Sequence, residues 1–274
     1  MKPSGKFALA WSTVILGVSF LMPTVSQAAI SDTPLFLEQP ADPRVLFVMS
    51  NDHQLSIKAY TDYSDLDGDG TLDTSYSDSI DYSGYFDSNK CYSYQNSRFE
   101  PEGAVVSGTH QCTTSTSHWS GNFMNWASMT RMDLVRSVLY GGLRSTDDNS
   151  ETVLERAYLP DDVHAFAKVF SSSDMQKFTP YSNAAISLCN YTDGGSSLSK
   201  SVTEAPSIRV AAGSWPQWAA GEVTQCGWGS GTRPASTDQL GGGNLVARVQ
   251  VCESTLLESN CKAYTDGTDT NNKP

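Results

Sequence analysis

The amino-acid sequence predicts an α/β fold, because apolar patterns typical of strands occur together with one pattern typical of an amphipathic helix. The apolar run RVLFVM at 44–49 follows the turn-prone stretch QPADP, as expected for a buried strand of an α/β sheet. Apolar residues recur at three- and four-residue spacing over 129–139, which predicts a helix. Four further segments have strand patterns: 162–170, 183–189, 207–212 and 244–252.

The first 28 residues have the features of a Sec-type signal peptide. Two lysines precede an apolar run over 7–22, Pro23 ends the run, and Ala28 is a small residue that suits a signal peptidase. A membrane anchor is the alternative, but an anchor needs about 20 predominantly apolar residues. This run is shorter and is interrupted by Ser12. We therefore expect export and a mature chain of 29–274.

The acidic composition excludes some partners. The formal net charge of the whole chain is −12, and cleavage of the signal peptide removes two lysines and no acid, which lowers it to −14. Nucleic-acid binding needs basic patches, so we expect no nucleic-acid partner. Divalent cations and a location outside the cell are compatible with this charge. No later stretch is apolar enough to span a bilayer, so we expect no transmembrane segment after cleavage.

Six cysteines, all in the mature chain, predict disulfides in an exported protein. Six cysteines allow 15 connectivities. Proximity along the sequence favours three bridges: Cys91–Cys112, Cys189–Cys226 and Cys252–Cys261. The alternative is a zinc site with His110 and Cys112, but no CxxC pair and no close histidine pair supports it.

The segment 50–121 is polar, rich in Gly, Ser, Asp and Tyr, and has no helical periodicity. We expect it to be a long excursion held together by a disulfide and by a metal ion. The helix pattern follows it and ends at Gly141. Four residues form the apolar face of that helix: Met129, Met132, Val135 and Leu139.

The stretch DLDGDGTLD at 65–73 places four aspartates close together, which predicts a cation among them. Counted from Asp65, the stretch matches the first half of an EF-hand calcium loop, in which alternate carboxylates and one backbone carbonyl are ligands. The predicted Ca²⁺ ligands are Asp65, Asp67, Asp69, the carbonyl of Thr71, and Asp73. Without a cation, the four carboxylates would repel one another and destabilise the fold.

The match to an EF-hand ends at position 12, where a bidentate glutamate is required and this chain has Tyr76. No helix pattern flanks the loop. We therefore expect a free-standing structural calcium loop, with Asp62 or Asp78 as an extra ligand. The alternative is a solvated Asp-Gly turn without a bound ion.

No catalytic motif is convincing, so we expect no enzyme. The sequence has neither G-x-S-x-G nor H-E-x-x-H, and Ser197–Lys200 matches S-x-x-K without a companion motif. The four histidines are scattered, and Gly241–Gly243 has the pattern of a turn rather than a phosphate-binding loop. Three tryptophans suggest either sugar stacking or packing against a disulfide, the second being favoured: Trp215, Trp218 and Trp228.

Six segments follow one another in a characteristic order: DLDGDGTLD, YSGYFDSNKCYSY, GNFMNWASMTRMDLVRSVLYGG, TVLERAYLP, ISLCN and VARVQVCESTLLESNCKAY. Together they resemble the N-terminal region of the type IV pilus tip-associated adhesin and assembly family, the PilC/PilY type. The resemblance runs from about residue 35 to the end of the chain and is more specific than any single motif.

This resemblance implies an exported bacterial envelope protein of the periplasm, the outer-membrane surface or the pilus tip (fimbrium). It implies a role in pilus assembly, adhesion and surface attachment, with pilins or minor pilins and host or surface receptors as partners. It also implies an α/β fold with a von Willebrand factor A-like open sheet. In that fold VLFVM is the first strand, the 129–139 helix is the first helix, and 50–121 is an insertion between them.

The chain departs from the family in two respects. A metal-dependent adhesion site of an A domain carries D-x-S-x-S after the first strand, but here Ser50 and Asn51 stand where the aspartate is required. Asp52 is displaced by about two residues, which puts such a site in doubt. Family members also continue into a C-terminal β-propeller, so we expect an incomplete A-like domain in a truncated fragment.

The hypothesis from sequence is therefore a non-enzymatic pilus assembly and adhesion module with one structural calcium ion. A generic calcium-stabilised binding module, including a carbohydrate-binding one, and a secreted hydrolase are the alternatives.

Overall fold

The computed structural model describes most of the chain beyond residue 51. The described residues are 46, 48, 52–113, 118–159, 164–192, 205–221, 225–265 and 272–274. The chain divides into two units, Met1–Met49 and Ser50–Pro274, and all described helices and strands belong to the second. The predicted signal peptide lies outside the described residues. Of the predicted strand at 44–49 only Leu46 and Val48 are described, and neither is in a strand.

The described residues form three α-helices, of which two are consecutive. Helix α1 spans His53–Ser56, α2 spans Gly121–Ser128 and α3 spans Arg131–Tyr140. Ser120 caps α2, because its hydroxyl accepts a hydrogen bond from the backbone N–H of Phe123. Two short 3₁₀-helices span Met175–Lys177 and Ser236–Asp238.

The helix predicted over 129–139 is confirmed as α3, but it begins at Arg131, because the chain breaks at Met129 and Thr130 and a separate helix, α2, precedes the break. Met129 is extended, with ψ 146°, and ends α2. Thr130 starts α3 with a capping box: Asp133 N–H donates to the Thr130 hydroxyl, and the Asp133 carboxylate accepts from Thr130 N–H. The predicted end is confirmed, since Gly141 caps α3 with φ +79°.

Of the predicted apolar face, Met129 is buried in the core but lies before α3, and Met132, Val135 and Leu139 are not buried. Asp133 is the buried residue of α3, whereas Leu139 is 42% exposed and Val138 is 85% exposed. The helix that packs into the core is α2, all of whose residues are buried. The apolar spacing continues across the break between the two helices, and for that reason the sequence did not reveal two helices.

Six strands form a mixed sheet in the order β3-β1-β2-β10-β5-β4. Their bounds are Lys90–Gln95 (β1), Arg98–Ala104 (β2), Trp119–Ser120 (β3), Arg144–Asp147 (β4), Thr152–Glu155 (β5) and Arg248–Val251 (β10). Neighbouring strands are antiparallel except β2 and β10, which are parallel with Val249 opposite Phe99. Three strands of this sheet, β1, β2 and β3, come from the segment 50–121, for which the sequence predicts an excursion.

Four strands form a second, wholly antiparallel sheet in the order β6-β7-β8-β9. Their bounds are Phe166–Ser171 (β6), Ala185–Thr192 (β7), Pro206–Ala212 (β8) and Gln239–Val246 (β9). The predicted strands at 162–170, 183–189 and 207–212 correspond to β6, β7 and β8. A small ribbon pairs β11, Lys262–Ala263, with β12, Asn272–Lys273.

The strand predicted over 244–252 is wrong as a single element. The chain leaves β9 at Val246, passes through Ala247 and enters β10 at Arg248. The two strands belong to different sheets. The apolar run is continuous because both strands contribute buried residues to the same core.

The main core is aromatic, and much of it comes from the predicted excursion. Tyr76, Tyr82 and Tyr92 are all buried, and helix α2 adds Phe123 and Trp126. Aromatic rings in this cluster pack mostly edge to face or tilted, the arrangements that aromatic quadrupoles prefer. The part of 50–121 from Tyr76 onward is therefore integral to the core. That 50–121 is an insertion between the first strand and the first helix of an A-like domain stays a prediction.

All three predicted disulfides are confirmed. Cys91 is bonded to Cys112, Cys189 to Cys226, and Cys252 to Cys261. The zinc site with His110 and Cys112 is wrong, because the Cys112 sulfur is in a disulfide and no thiolate is available there.

The described chain is a mixed α/β domain, as predicted from the sequence. The von Willebrand A-like open sheet stays a prediction. Parallel strands with helices on both faces characterise such a sheet, whereas β2 and β10 are the parallel pair among the described strands. The predicted first strand lies mostly outside the described residues.

Candidate metal-binding site

The predicted calcium stretch, Asp65–Asp73, forms a closed and exposed loop, here called the acidic loop. An antiparallel bridge between Ser64 and Asp73 joins its ends, with Asp73 N–H donating to the Ser64 carbonyl at 2.9 Å. Gly68 and Gly70 have φ values of +78° and +87°, a region that glycine enters without strain. These two glycines let the backbone turn back around its own carboxylates.

Backbone N–H groups hold the carboxylate of Asp65 at the centre of the loop. Its Oδ1 accepts from Gly68 N–H at 2.7 Å, and its Oδ2 accepts from Gly70 N–H at 2.9 Å. Asp73 Oδ2 accepts from Leu66 N–H at 2.7 Å, which ties the last aspartate to the start of the loop. The loop is thus folded by its own polar groups.

Three of the predicted ligands come together. Asp65, Asp67 and Asp73 each offer a carboxylate oxygen within 4.8 Å of the others. Asp69 is outside this cluster, and its Oδ1 accepts from Thr71 N–H at 2.7 Å. Three negative oxygens on an exposed loop fit a hard cation such as Ca²⁺, whose remaining ligands are backbone carbonyls and water.

The predicted extra ligands have other partners. The Asp78 carboxylate accepts from His110 N–H at 3.1 Å and from Gln111 Nε2 at 2.8 Å. Asp62 lies just before the acidic loop and forms ion pairs with two lysines, Lys58 and Lys168. Neither carboxylate joins the three-aspartate cluster among the described residues.

Residues that the sequence reasoning missed attach the loop to the fold. Asp62 Oδ1 accepts from Lys168 Nζ at 2.5 Å and from Trp126 Nε1 at 3.1 Å, and its Oδ2 accepts from Lys58 Nζ at 3.0 Å. The Lys168 side chain is completely buried. Burial lowers the pKa of Lys168 to about 7, and the Asp62 carboxylate opposes that shift.

A signal for this lysine is present in the sequence FAKVF. Phe166, Lys168 and Phe170 alternate with less buried residues along β6 and face the same side. A lysine on the inward face of a strand needs a partner of opposite charge, because burying an unpaired charge is costly. The partner itself was not predictable, since Asp62 lies 106 residues away in the sequence.

The C-terminal end of the acidic loop leads into the aromatic core. Tyr76, the residue at EF-hand position 12, is buried, and its hydroxyl accepts a hydrogen bond from Asn122 Nδ2 at 3.1 Å. Burial raises the pKa of Tyr76 well above its usual value. The ring lies 5.1 Å from Phe178 and 5.3 Å from Phe123. Position 12 is therefore a structural residue in this loop.

A second group of metal-ligand residue types has a different role. Cys252, Glu258 and Cys261 lie close together, but both sulfurs are in a disulfide. The Glu258 carboxylate accepts from Cys252 N–H and forms an ion pair with Lys90 at 2.8 Å. Glu258 therefore stabilises the loop that the Cys252–Cys261 disulfide closes.

The tryptophans pack against a disulfide, as the favoured interpretation predicts. Trp218 is fully buried in a cluster with Cys189 and Cys226, and Trp215 and Trp228 pack against that cluster. Trp218 Nε1 donates to the Gly227 carbonyl at 2.9 Å, so its polar edge is also occupied.

The other motifs fall in three places. The S-x-x-K match at 197–200 lies outside the described residues. Gly241–Gly243 lies within the edge strand β9, where all three glycines have positive φ values. His110 Nδ1 is 2.9 Å from the Ser88 carbonyl, and His118 Nε2 pairs with Glu102.

Among the described residues, no helix is both long and apolar enough to cross a membrane.

Comparison with known proteins identifies the family to which the chain belongs. Residues 73–211, half of the chain, match the family model described as PilY1 homolog, small alpha/beta domain. The chain therefore belongs to the PilY1 homolog family, which confirms the resemblance of its motifs. The match begins at the last aspartate of the acidic loop, so most of the loop lies outside the family model.

Two relatives are type IV pilus biogenesis factor PilY1 homologs of Xylella fastidiosa. One is 33% identical over 249 residues, covering 81% of this chain and 16% of the relative. The other is 29% identical over 223 residues, covering 78% of this chain and 17% of the relative. The chain thus spans about one-sixth of the length of these relatives. No solved structure matches it.

Proposed function

We propose that this chain is an exported, non-enzymatic domain that acts in type IV pilus biogenesis and adhesion. The observation that carries the proposal is the 33% identity, over 81% of the chain, to a type IV pilus biogenesis factor PilY1 homolog. The proposed partners are pilins or minor pilins and a host or surface receptor. The proposed location is the periplasm, the outer-membrane surface or the pilus tip.

Physical properties of the domain support this proposal. Three disulfides are typical of proteins that fold in an oxidising compartment outside the cytoplasm. Bridges that close loops of this size each stabilise a domain by about 2–4 kcal/mol, which suits a protein that works outside the cell. The three tryptophans pack in a cluster around Cys189 and Cys226, and this packing lends no support to sugar stacking as the function.

A segment exchange tests the pilus role. The matched segment of the 33%-identical Xylella relative is replaced by the corresponding residues of this chain, in a strain that lacks the native gene. We expect surface pili, measured as pilin in sheared fractions, to return. The same exchange with the segment of the second Xylella homolog serves as the positive control. An exported chimera that restores no pili, while the control does, would refute the proposal.

We also propose that the acidic loop binds one structural calcium ion. The three clustered carboxylates of Asp65, Asp67 and Asp73 support this proposal, and Asp69 and the Thr71 carbonyl stay proposed ligands. The ion would offset the repulsion among the carboxylates.

Isothermal titration of the mature chain with Ca²⁺ tests the site. We expect a stoichiometry of one and loss of binding in the triple variant Asp65→Asn, Asp67→Asn and Asp73→Asn. The variant Asp174→Asn is the matched control, because it removes an exposed carboxylate that pairs with Lys177 on the 3₁₀-helix. Absence of heat from the unaltered chain would refute the calcium proposal.

A further inference from the structure

The two ends of the acidic loop rest on the same two elements of the fold. Strand β6 contributes Lys168 and Phe170 from one face, and helix α2 contributes Trp126. Before the loop, Asp62 contacts both Lys168 and Trp126. After the loop, the Tyr76 ring lies 5.5 Å from Phe170 and 5.8 Å from Trp126. One platform therefore fixes both ends.

The polar half of this platform is a buried ion pair. Lys168 Nζ donates to Asp62 and to the Tyr60 carbonyl, and it lies 4.4 Å from the centre of the Trp126 ring. Asp62 has φ +65°, a left-handed conformation that is uncommon for a residue other than glycine. Such a conformation persists only where surrounding contacts enforce it. The three donors to the Asp62 carboxylate supply those contacts.

We propose that Lys168 is a positioning residue for cation binding by the acidic loop. Its ion pair with Asp62 fixes the start of the loop relative to Tyr76 at the end of the loop. Backbone N–H groups within the loop gather the carboxylates, and the fixed ends keep that arrangement in place before a cation arrives, so binding loses less conformational entropy. This inference rests on the proposed calcium site and names the residue that sets its affinity.

Electrostatics alone predicts the opposite effect for this residue. Lys168 carries a positive charge close to a site for a doubly charged cation, so its removal would reduce repulsion and strengthen binding. Positioning predicts that removal weakens binding. The sign of the change in affinity therefore separates the two accounts.

The experiment compares Ca²⁺ dissociation constants of the full mature chain and three variants by calorimetry at pH 6, below the lowered pKa of Lys168. Lys168→Met removes the buried ammonium, and we expect about tenfold weaker binding, the low end of the effect of residues that support metal ligands. Lys177→Met is the control, because it removes a lysine charge that pairs with Asp174 and makes none of the contacts to Asp62. We expect this control to bind Ca²⁺ as tightly as the unaltered chain, or more tightly.

The double variant Asp62→Asn with Lys168→Met guards against misfolding. It changes no net charge and leaves no unpaired buried ion, and asparagine tolerates positive φ. Electrostatics predicts unchanged affinity for it, whereas positioning again predicts about tenfold weaker binding. Amide hydrogen exchange of 65–73 in calcium-free protein supplies a second readout, and we expect faster exchange in both variants.

The Ca²⁺ affinity of the double variant decides the inference, and loop exchange is the supporting readout. Weaker binding and faster loop exchange in the double variant would support the inference, even if Lys168→Met alone does not fold. Unchanged or tighter binding, with unchanged exchange, would overturn it while leaving the calcium site intact. If the unaltered chain binds no Ca²⁺, the calcium proposal itself fails, and unchanged exchange would then remove the positioning role as well.

Discussion

Replacing Asn125 with alanine should destabilise the domain strongly. Asn125 lies on helix α2 and is fully buried. Its Oδ1 accepts from Phe86 N–H at 3.0 Å, and its Nδ2 donates to the carbonyls of Tyr82 at 2.7 Å and Phe86 at 2.8 Å. One amide thus satisfies three backbone groups of an irregular segment that lies in the core.

The magnitude follows from those three groups. Each buried donor or acceptor left without a partner costs about 1–3 kcal/mol, so the loss is roughly 3 kcal/mol at the low end. A domain is stable by only about 5–15 kcal/mol in total. The variant should therefore unfold at clearly lower urea concentration.

Urea denaturation followed by tryptophan fluorescence measures this loss. The matched control is Asn149→Ala, which truncates the same residue type at an exposed position. We expect the control to stay within about 0.5 kcal/mol of the unaltered chain. If Asn125→Ala also stays within that limit, at unchanged slope, the argument from buried backbone groups is wrong.

Three further predictions concern other parts of the fold. Gly84→Ala places a methyl group 2.1 Å from Asn125 Oδ1, and we expect the free energy of unfolding to fall by about 1–3 kcal/mol in urea denaturation. Gly103→Ala is the control, because no atom lies within 4 Å of the added methyl group. Equal effects of the two substitutions would contradict the clash. The unfolding free energy should rise as pH increases from about 7 towards 10, because Lys168, with its pKa lowered to about 7, binds fewer protons in the folded than in the unfolded state. Lys168→Met should flatten that rise, and an unchanged pH profile would refute the assignment. Replacing Cys189 and Cys226 with serine should lower the free energy of unfolding by about 1 kcal/mol more than replacing Cys252 and Cys261. The reason is that the first bridge joins cysteines 37 residues apart and the second joins cysteines 9 residues apart. Melting points that fall equally would contradict the loop-length argument.

Local sequence signals correctly predicted several features of this fold. The three disulfides join cysteines that are neighbours among the six along the sequence, and the positions of β6, β7 and β8 follow from short apolar segments. These features depend on chemistry within a short stretch of chain. The cluster of Asp65, Asp67 and Asp73 also follows from spacing, because the loop folds on its own backbone N–H groups.

Long-range pairing explains what the sequence did not reveal. Lys168 and Asp62 are 106 residues apart, and Asn125 meets Phe86 across 39 residues. Neither pair has a local signature. The missed helix α2 and the split of the strand predicted over 244–252 have a different cause, since an apolar period that continues through Thr130 or Ala247 hides a break in the backbone.

The most direct test of the central claim is a crystal structure of the mature chain grown with Ca²⁺. The account predicts one ion bound by carboxylate oxygens of Asp65, Asp67 and Asp73 at about 2.3–2.6 Å, with Asp62 still paired to Lys168. An acidic loop that holds only water under saturating Ca²⁺, with its carboxylates separated, would contradict the claim.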